Sequence, residues 1–357
     1  MIFGIVCKSW RSVVTKENFN SNLPRVLWLM LAEEGDDKTC RKFFSVYNGM
    51  ILKKRIPKAS GKRCMESMGW LIMVGKDEGE ISLLHPFSSV QIQLPHQITT
   101  DRYEFNQTPV PWTFVQKAIL SANPSHTSDY ILMIIEGHYQ FLSFWRPGDL
   151  LWTRIRKPVY FPHTSDVVYF NGLFYAVSYS GCVQVCDIIG SEPTKSLTVA
   201  QLPPWIDGMY YILESLGSLF VVSQNGVDIR YVKDDRERTP TDEDEEKKMH
   251  MYKTRNFLVF QIDLAACKTT PTRDLGDQAF FLGANASLSV QASQFPRIKP
   301  NPPERGFGSL KAHLVRSVQF TALARNYLSW RVYRSVFPVT NNRCNSTKYA
   351  DVNSTPT

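Results

Sequence analysis

Glycine-centred turns recur along this chain, each between two short runs of apolar residues. The turn glycines Gly79, Gly137, Gly181 and Gly226 are separated by 58, 44 and 45 residues. Glycine readily adopts the positive φ that tight hairpin turns require, so each turn predicts a β-hairpin. Hairpins that recur every ~40–50 residues are typical of the blades of a β-propeller. The predicted hairpin arms are 70–74 with 81–84, 130–135 with 139–145, 173–179 with 182–188, and 219–223 with 227–232.

One complete four-stranded unit is present between residues 166 and 202. Its predicted strands are Asp166–Phe170, Leu173–Tyr179, Cys182–Ile188 and Ser196–Leu202, with an Asn-Gly turn after the first. An earlier hairpin, 43–47 with 50–55, is assigned to the same array. A β-sandwich also has short strands and glycine turns, and it is the alternative all-β architecture. The sustained period favours an all-β propeller of four-stranded blades.

The formal net charge of +8 is concentrated at one end of the chain. Ten Lys/Arg and two Asp/Glu lie between Arg297 and Thr357, so the preceding residues are neutral overall. A neutral body argues against a basic groove for nucleic acid. Residues 310–337 mix apolar and basic side chains, which predicts an irregular or helical basic tail over 302–357. The tail is expected to be solvated, or to form an amphipathic helix at a membrane surface or a partner.

An acidic segment interrupts the fourth hairpin. Residues 234–248 hold eight acidic and four basic residues together with Pro240, and they lack apolar periodicity. Such a segment cannot bury enough apolar surface to fold, so we expect a flexible loop between strands. Thr241 directly precedes Asp242-Glu243-Asp244 and is a candidate phosphorylation site.

The sequence offers no constellation of catalytic or metal-binding residues. The seven histidines show no ligand spacing, and no Gly-x-Ser-x-Gly elbow occurs. Cys182 and Cys186 lie on one side of a predicted strand, where we expect them to be small buried residues of a blade. The chain is therefore predicted to be no enzyme, with no metal and no cofactor.

The cysteine count and the lengths of the apolar runs indicate the cellular compartment of the protein. The count of seven cysteines is odd, the apolar run 2–6 is too short for a signal peptide, and no run approaches the ~20 residues that span a bilayer. We expect free thiols, no membrane span, and a location in the cytoplasm or nucleus.

Several motifs resemble those of one plant family. Val6–Val14 is similar to the last helix of an F-box, with Val6, Trp10, Val13 and Val14 on one helical face. The motifs Gly69–Leu71, Leu83–Phe87, Lys117–Ser121, Arg146–Asp149, Gly172–Ala176 and Leu282–Asn285 resemble the blades of plant F-box proteins with a KIB-type β-propeller. The resemblance extends from about Val6 to Asn301.

The resemblance implies a domain organisation. Residues 1–15 would be a remnant of the last F-box helix, 16–40 a linker, 41–301 the propeller and 302–357 a divergent basic tail. Pro302-Pro303 stands where the family continues into a strand of the last blade.

The resemblance also implies a function. In that family the F-box binds a Skp-type adaptor of a cullin ubiquitin ligase and the propeller presents a protein substrate. Val6, Cys7 and Trp10 would then contact the adaptor, with weakened affinity because an F-box has about three helices. The alternatives are that this helix packs on the propeller, and that the chain is a free-standing scaffold or decoy that binds a partner without adaptor recruitment.

Overall fold

A computed structural model describes most of the central part of the chain. The described residues are 27–31, 39–76, 78–108, 110–155, 163–188, 195–204, 206, 208–225, 228–231, 250–253, 256–272, 274–283, 285–296, 298 and 315–316. Within them the regular elements are strands and five short 3₁₀ turns: Pro57–Ala59, Gln97–Thr99, Tyr103–Phe105, Pro111–Thr113 and Ala292–Gln294.

The first eleven strands form three antiparallel sheets in chain order. Sheet 1 contains β1 (Trp28–Met30), β2 (Cys40–Ser45) and β3 (Ile51–Arg55). Sheet 2 contains β4 (Lys62–Ser67), β5 (Trp70–Gly75), β6 (Ile81–Leu84) and β7 (Gln91–Gln93). Sheet 3 contains β8 (Val115–Leu120), β9 (Leu132–Glu136), β10 (Phe141–Trp145) and β11 (Thr153–Arg154).

The remaining strands form three further sheets and a separate ribbon. Sheet 4 contains β12 (Thr164–Phe170), β13 (Leu173–Ser178), β14 (Cys182–Asp187) and β15 (Lys195–Gln201). Sheet 5 contains β16 (Met209–Ser215), β17 (Ser218–Asn225), β20 (Asn256–Asp263) and β21 (Lys268–Thr272), and the ribbon pairs β18 (Asp228–Tyr231) with β19 (His250–Lys253). Sheet 6 contains β22 (Gln278–Leu282), β23 (Leu288–Gln291) and the two-residue β24 (Val315–Arg316).

The six sheets form a closed ring, which confirms the predicted propeller. Apolar clusters fill the space between successive sheets, and a further cluster joins sheet 6 to sheet 1 through Phe281, Phe44 and Val46. At the centre the first strands of sheets 2–5 contact one another in turn, and β16 then contacts β23. Two packed layers of a sandwich would not give this cyclic order of contacts.

Sheet 4 matches the four-stranded unit predicted from the sequence. Its strands β12–β15 lie in chain order, and Gly181 has the positive φ (+73°) expected of the turn between β13 and β14. Val183 and Val185 of β14 pack in the cluster towards sheet 5, whereas Cys186 packs in the cluster towards sheet 3. The alternation of side chains along each strand thus lets one blade bury both faces.

The fourth predicted hairpin is wrong in its pairing. β17 pairs with β20 rather than with the segment after Gly226, from Asn225 opposite Asn256 to Leu219 opposite Ile262. The strand β18 pairs instead with β19, outside the six-sheet ring. The strands that the sequence placed next to each other therefore belong to different sheets, because a long insertion separates the second strand of sheet 5 from the third.

The expectations about the thiols, the membrane span and the basic tail can be compared with the described residues. Cys40, Cys64, Cys182 and Cys186 form no disulfide, but Cys267 is disulfide-bonded, so the expectation that every cysteine is reduced is not met throughout the described residues. Within the described part of the chain, no helix has the length and apolarity needed to cross a bilayer. Of the predicted tail, the structure describes only β24, which runs parallel to β22.

Candidate protein-interaction surface

One end of the ring is built from two kinds of connection. The turns between second and third strands lie here together with the segments that lead from one sheet to the next. Asn106, from the segment between sheets 2 and 3, accepts a hydrogen bond from the Tyr139 N–H (3.0 Å) and donates one to the Glu136 carbonyl (3.4 Å). We call this end the turn face and define it by residues 96–108, 110–114, 137–140 and 179–181.

The turn face exposes large apolar side chains. Phe105 is 79% exposed, Ile98 58% and Tyr139 49%. Phe105 and Ile98 line a shallow depression together with Thr100, Arg102, Tyr103, Glu104 and Gln107. Clustered apolar side chains with a polar rim mark protein-interaction sites more often than random surface.

The segment that carries Ile98 and Phe105 is anchored from below. Gln97 is buried and donates from Nε2 to the Tyr103 hydroxyl (3.1 Å), and the Tyr103 ring packs edge-on against Phe114 at 5.1 Å between centroids. Trp152 donates to the Pro95 carbonyl (3.0 Å) at the start of the same segment. These contacts hold the exposed side chains in place, which lowers the entropy lost when a partner binds.

A buried ion pair lies beneath the turn face. Glu136 accepts hydrogen bonds at Oε1 from the Arg154 guanidinium (2.9 Å) and from the Ser143 hydroxyl (2.9 Å). Burial raises the pKa of Glu136, and the charge of Arg154 opposes this shift. The pair ties the end of β9 to β10 and β11, so it supports the turn that presents Tyr139.

The centre of the ring contains a second buried ion pair. Lys117 on β8 contacts Asp166 on β12, and its Nζ also donates to the Gly283 carbonyl (3.2 Å) and to the Ser287 hydroxyl (3.1 Å). Asp166 accepts from the Ser287 hydroxyl (2.9 Å) and from the Ile212 N–H (3.0 Å). The loop between β22 and β23 thereby contacts the first strands of sheets 3 and 4, and Asp166 connects the first strand of sheet 4 to that of sheet 5.

Burial governs the ionisation of this central pair. It lowers the pKa of Lys117, while the charge of Asp166 opposes the shift. It also raises the pKa of Asp166, against the opposing charge of Lys117. Lys117 and Asp166 bind each other and the loop between β22 and β23. Both side chains therefore stabilise the fold at the centre of the ring.

The residues predicted for adaptor binding, Val6, Cys7 and Trp10, lie outside the described residues, as do Thr241 and the acidic segment 234–248. Cys186 is buried as expected, whereas Cys182 is only half-buried, with its Sγ 3.6 Å from the Thr198 hydroxyl. Among the described residues, no group of three or more His, Cys, Asp or Glu side chains is placed to hold a metal ion.

Sequence reasoning missed Phe105 and Ile98. The signal was present in the glycine spacing, since Gly79 and Gly137 are 58 residues apart whereas the later turns are 44 and 45 apart. The additional residues form the segment between sheets 2 and 3. Their exposure could not be read from composition, because apolar and aromatic residues in a β protein are usually buried.

The length of one family-model match decides the family of this chain. A family model described as the KIB1-4 beta-propeller matches residues 43–302, which is more than half of the chain. The chain belongs to the KIB1-4 β-propeller family. The matched range begins within β2 and ends after β23, so it includes strands of all six sheets.

Curated relatives of this KIB1-4 propeller are F-box proteins of Arabidopsis thaliana. An F-box/kelch-repeat protein is 23% identical over 241 residues, which cover 64% of this chain and 60% of the relative. An F-box protein is 22% identical over 321 residues, covering 81% and 83%. A probable F-box protein is 22% identical over 324 residues, covering 84% and 81%. The chain therefore spans about three fifths of the first relative and about four fifths of the other two.

Solved structures are more distant from this propeller. A protein of unknown function from Bacteroides caccae aligns with a TM-score of 0.37 and 11% identity, over 72% of this chain and 78% of that one. A likeness at this level supports no conclusion about function. The propeller fold and the F-box relatives together support a protein-interaction module.

Proposed function

We propose that this KIB1-4 propeller is the substrate-recognition subunit of a Skp–cullin–F-box ubiquitin ligase. The observation that carries the proposal is the match to Arabidopsis F-box proteins over about four fifths of the chain. In this proposal residues 1–15 supply the last F-box helix, 16–40 a linker, 41–301 the propeller and 302–357 a basic tail. The protein acts in the cytoplasm or nucleus and performs no chemistry itself.

The turn face is the substrate-binding surface in this proposal. It presents Phe105, Ile98 and Tyr139 on an anchored segment and an anchored turn. Exposed aromatic and aliphatic side chains that are already ordered make efficient interaction hot spots, because they bury area at low entropic cost. The substrate is therefore a folded or extended protein segment with apolar side chains, rather than a small molecule enclosed in a cavity.

The adaptor would be contacted by Val6, Cys7 and Trp10, which lie close together on one face of the predicted helix. One helix provides only part of an F-box interface, and hot-spot residues depend on surrounding contacts that exclude water. We therefore expect weak binding of the adaptor by residues 1–15. A complete F-box placed upstream of Ile5 should strengthen it.

The test titrates a Skp-type adaptor against the chain, against a fusion with a complete F-box upstream of Ile5, and against the Trp10→Ala variant of that fusion. We expect the fusion to bind much more tightly than the chain, and Trp10→Ala to weaken the fusion by about tenfold or more. Equal affinity of the fusion and its Trp10→Ala variant would contradict the assigned role of Trp10. Failure of the fusion to bind at all would contradict adaptor recruitment through this segment.

A further inference from the structure

The outer strand of sheet 1 has one edge that no strand of the described residues covers. β3 is the last strand in the order β1-β2-β3 and pairs only with β2 in the described part of the chain. The Ser45 N–H donates to the Met50 carbonyl (2.9 Å), and the Ile56 N–H donates to the Thr39 carbonyl (2.7 Å). In an antiparallel pair the bonding residues alternate, so the backbone groups of Ile51, Lys53 and Arg55 point away from β2.

The same three residues expose their side chains. Ile51 is 56% exposed, and Lys53 and Arg55 are also exposed, whereas Leu52 and Lys54 are half-buried. The Nε atom of Arg55 donates to the Thr39 hydroxyl (3.3 Å) at the rim of the sheet. Among the described residues, the edge of β3 therefore offers backbone donors and acceptors that pair with no other strand, next to one apolar and two cationic side chains.

Other outer edges in the ring are less able to pair with a further strand. β7 has three residues and β11 has two, and β21 contains Pro271, which cannot donate a hydrogen bond. The edge strand β15 contacts β21 of the next sheet. Short strands, proline and exposed lysines are the usual protection against pairing with another chain. β3 has five residues and no proline, so its protection is the charge of Lys53 and Arg55, which an acidic segment would neutralise.

The region around β3 carries one sign of charge. Between Thr39 and Arg63 there are eight Lys/Arg and no Asp/Glu. Arg41 and Arg63 are used internally, since each donates to backbone carbonyls. Lys53 and Arg55 are exposed on β3, where they would attract an anionic group bound along this edge.

We propose that β3 binds an extended acidic segment of a partner protein as an additional antiparallel or parallel strand. Alternate residues of a strand are separated by about 7 Å on one face, so acidic residues at alternate positions can meet Lys53 and Arg55. An apolar residue in the same series meets Ile51, beside the exposed Met50. The basic C-terminal segment of the chain carries like charge and is a poor occupant.

The side chains at this edge favour a peptide over a single-stranded nucleic acid. Single-stranded nucleic acids are usually held by exposed aromatic rings on which successive bases stack. β3 presents an aliphatic side chain, Ile51, and the free backbone groups of a strand edge. Backbone pairing gives the affinity of strand addition, and Lys53 and Arg55 give the preference for acidic sequence.

The experiment measures binding of a labelled peptide, acetyl-Thr-Val-Thr-Glu-Thr-Glu-Thr-Val-Thr-amide, by fluorescence anisotropy to the full chain; its alternate series places two glutamates between two valines, so it matches the edge in either strand direction. We expect Lys53→Glu to weaken binding by about tenfold or more, since a favourable charge contact becomes a repulsive one. The matched control is Lys268→Glu, an exposed lysine on the outer strand β21, and it should leave the affinity within about twofold. Both sites are exposed, so unchanged melting temperatures should show that both variants fold.

Three competing probes decide whether the peptide is bound as a strand. A version of the peptide with methylated backbone nitrogens at its fourth and fifth residues should bind at least about fivefold more weakly, because it keeps both glutamates but lacks N–H donors needed to pair along the edge. Equal binding of the two peptides, or equal effects of Lys53→Glu and Lys268→Glu, would overturn the proposal. Tighter, Lys53-dependent binding of a single-stranded oligonucleotide would assign the edge to nucleic acid instead. Tighter, Lys53-dependent binding of a peptide with the sequence of residues 234–248 would assign it to a second copy of this chain.

Discussion

Gly181 closes the turn between β13 and β14 with a φ of +73°, and the space beside it is restricted. A Cβ added there would lie 3.0 Å from the Leu202 Cβ. We expect Gly181→Val to lower the free energy of unfolding by about 1–3 kcal/mol, from backbone strain and this close contact. The measurement is urea unfolding, with Gly172→Val as the control.

Gly172 makes the control informative because it has a similar φ of +83° but no heavy atom within 4 Å of an added Cβ. Gly172→Val should therefore report backbone strain alone and cost less than Gly181→Val. Equal losses for the two variants would show that the contact with Leu202 adds nothing. An unchanged stability of Gly181→Val would contradict the hairpin turn itself.

His85 gives the fold a specific sensitivity to acid. Its Nδ1 accepts a hydrogen bond from the Ser88 N–H (3.1 Å), and its ring lies 5.3 Å from the Trp70 ring. Burial lowers the pKa of His85 below its ordinary value of 6.5. The unfolded chain then binds this proton more readily than the folded chain, so stability falls as the pH drops through and below about 6.5.

We expect His85→Asn to lose less melting temperature than the native protein between pH 7.5 and pH 5.5, because the variant lacks this proton site. His126→Asn is the control, since His126 is exposed in the loop between β8 and β9. It should lose as much melting temperature as the native protein. A loss in His85→Asn that matches the native protein would contradict the assigned role of His85.

At the scale of elements, sequence periodicity identified most strands but failed where pairing is long-range. In sheets 2, 3 and 4 the second and third strands are separated by short glycine turns, so local signals specify the partner. In sheet 5 the Asn225-Gly226 pair is an equally strong local turn signal, yet β17 pairs with β20, which begins at Asn256. Propensity within a few residues carries no information about a partner 30 residues away.

The central ion pair joins elements from different sheets and should couple their stability. Removing one partner leaves the other charge buried, so Asp166→Ala should cost about 3–5 kcal/mol. The double variant Lys117→Met/Asp166→Leu should cost less than the sum of the single variants Lys117→Met and Asp166→Leu, because no uncompensated charge remains. Urea unfolding of the single and double variants gives the coupling free energy. Additive effects of the single variants would contradict a mutually dependent pair.

For the whole molecule, the period of the turns was sufficient to predict a propeller, but the number of sheets was not. Sheets 1 and 6 differ from the four-stranded repeat: sheet 1 has three strands, and sheet 6 has β22, β23 and a two-residue strand. Ring closure depends on contacts such as Phe44 with the cluster around Phe281, which join residues from opposite ends of the described chain. The amino-acid types of these residues indicate a core but do not indicate which sheets meet.

The turn face, which is the candidate site, could also be predicted only in part from the sequence. The segment around Ile98 and Phe105 could have been noticed from the longer glycine spacing. Its role as a surface depends on Asn106 packing over Gly137, a contact between residues that no sequence motif connects. The resemblance to the KIB-type propeller, by contrast, was readable in the order of short motifs, and the family match over residues 43–302 confirms it.

The most direct test of substrate capture and delivery compares the native protein with Phe105→Asp, Trp10→Ala and Leu150→Asp in plant cells. Leu150 is the control, since it is exposed in the turn between β10 and β11 at the end of the ring opposite the turn face. The account predicts partners that co-purify with the native protein, Trp10→Ala and Leu150→Asp but are lost with Phe105→Asp. Their ubiquitination should require both Phe105 and Trp10. Recovery of the same partners with Phe105→Asp, or unchanged ubiquitination with either Phe105→Asp or Trp10→Ala, would contradict it.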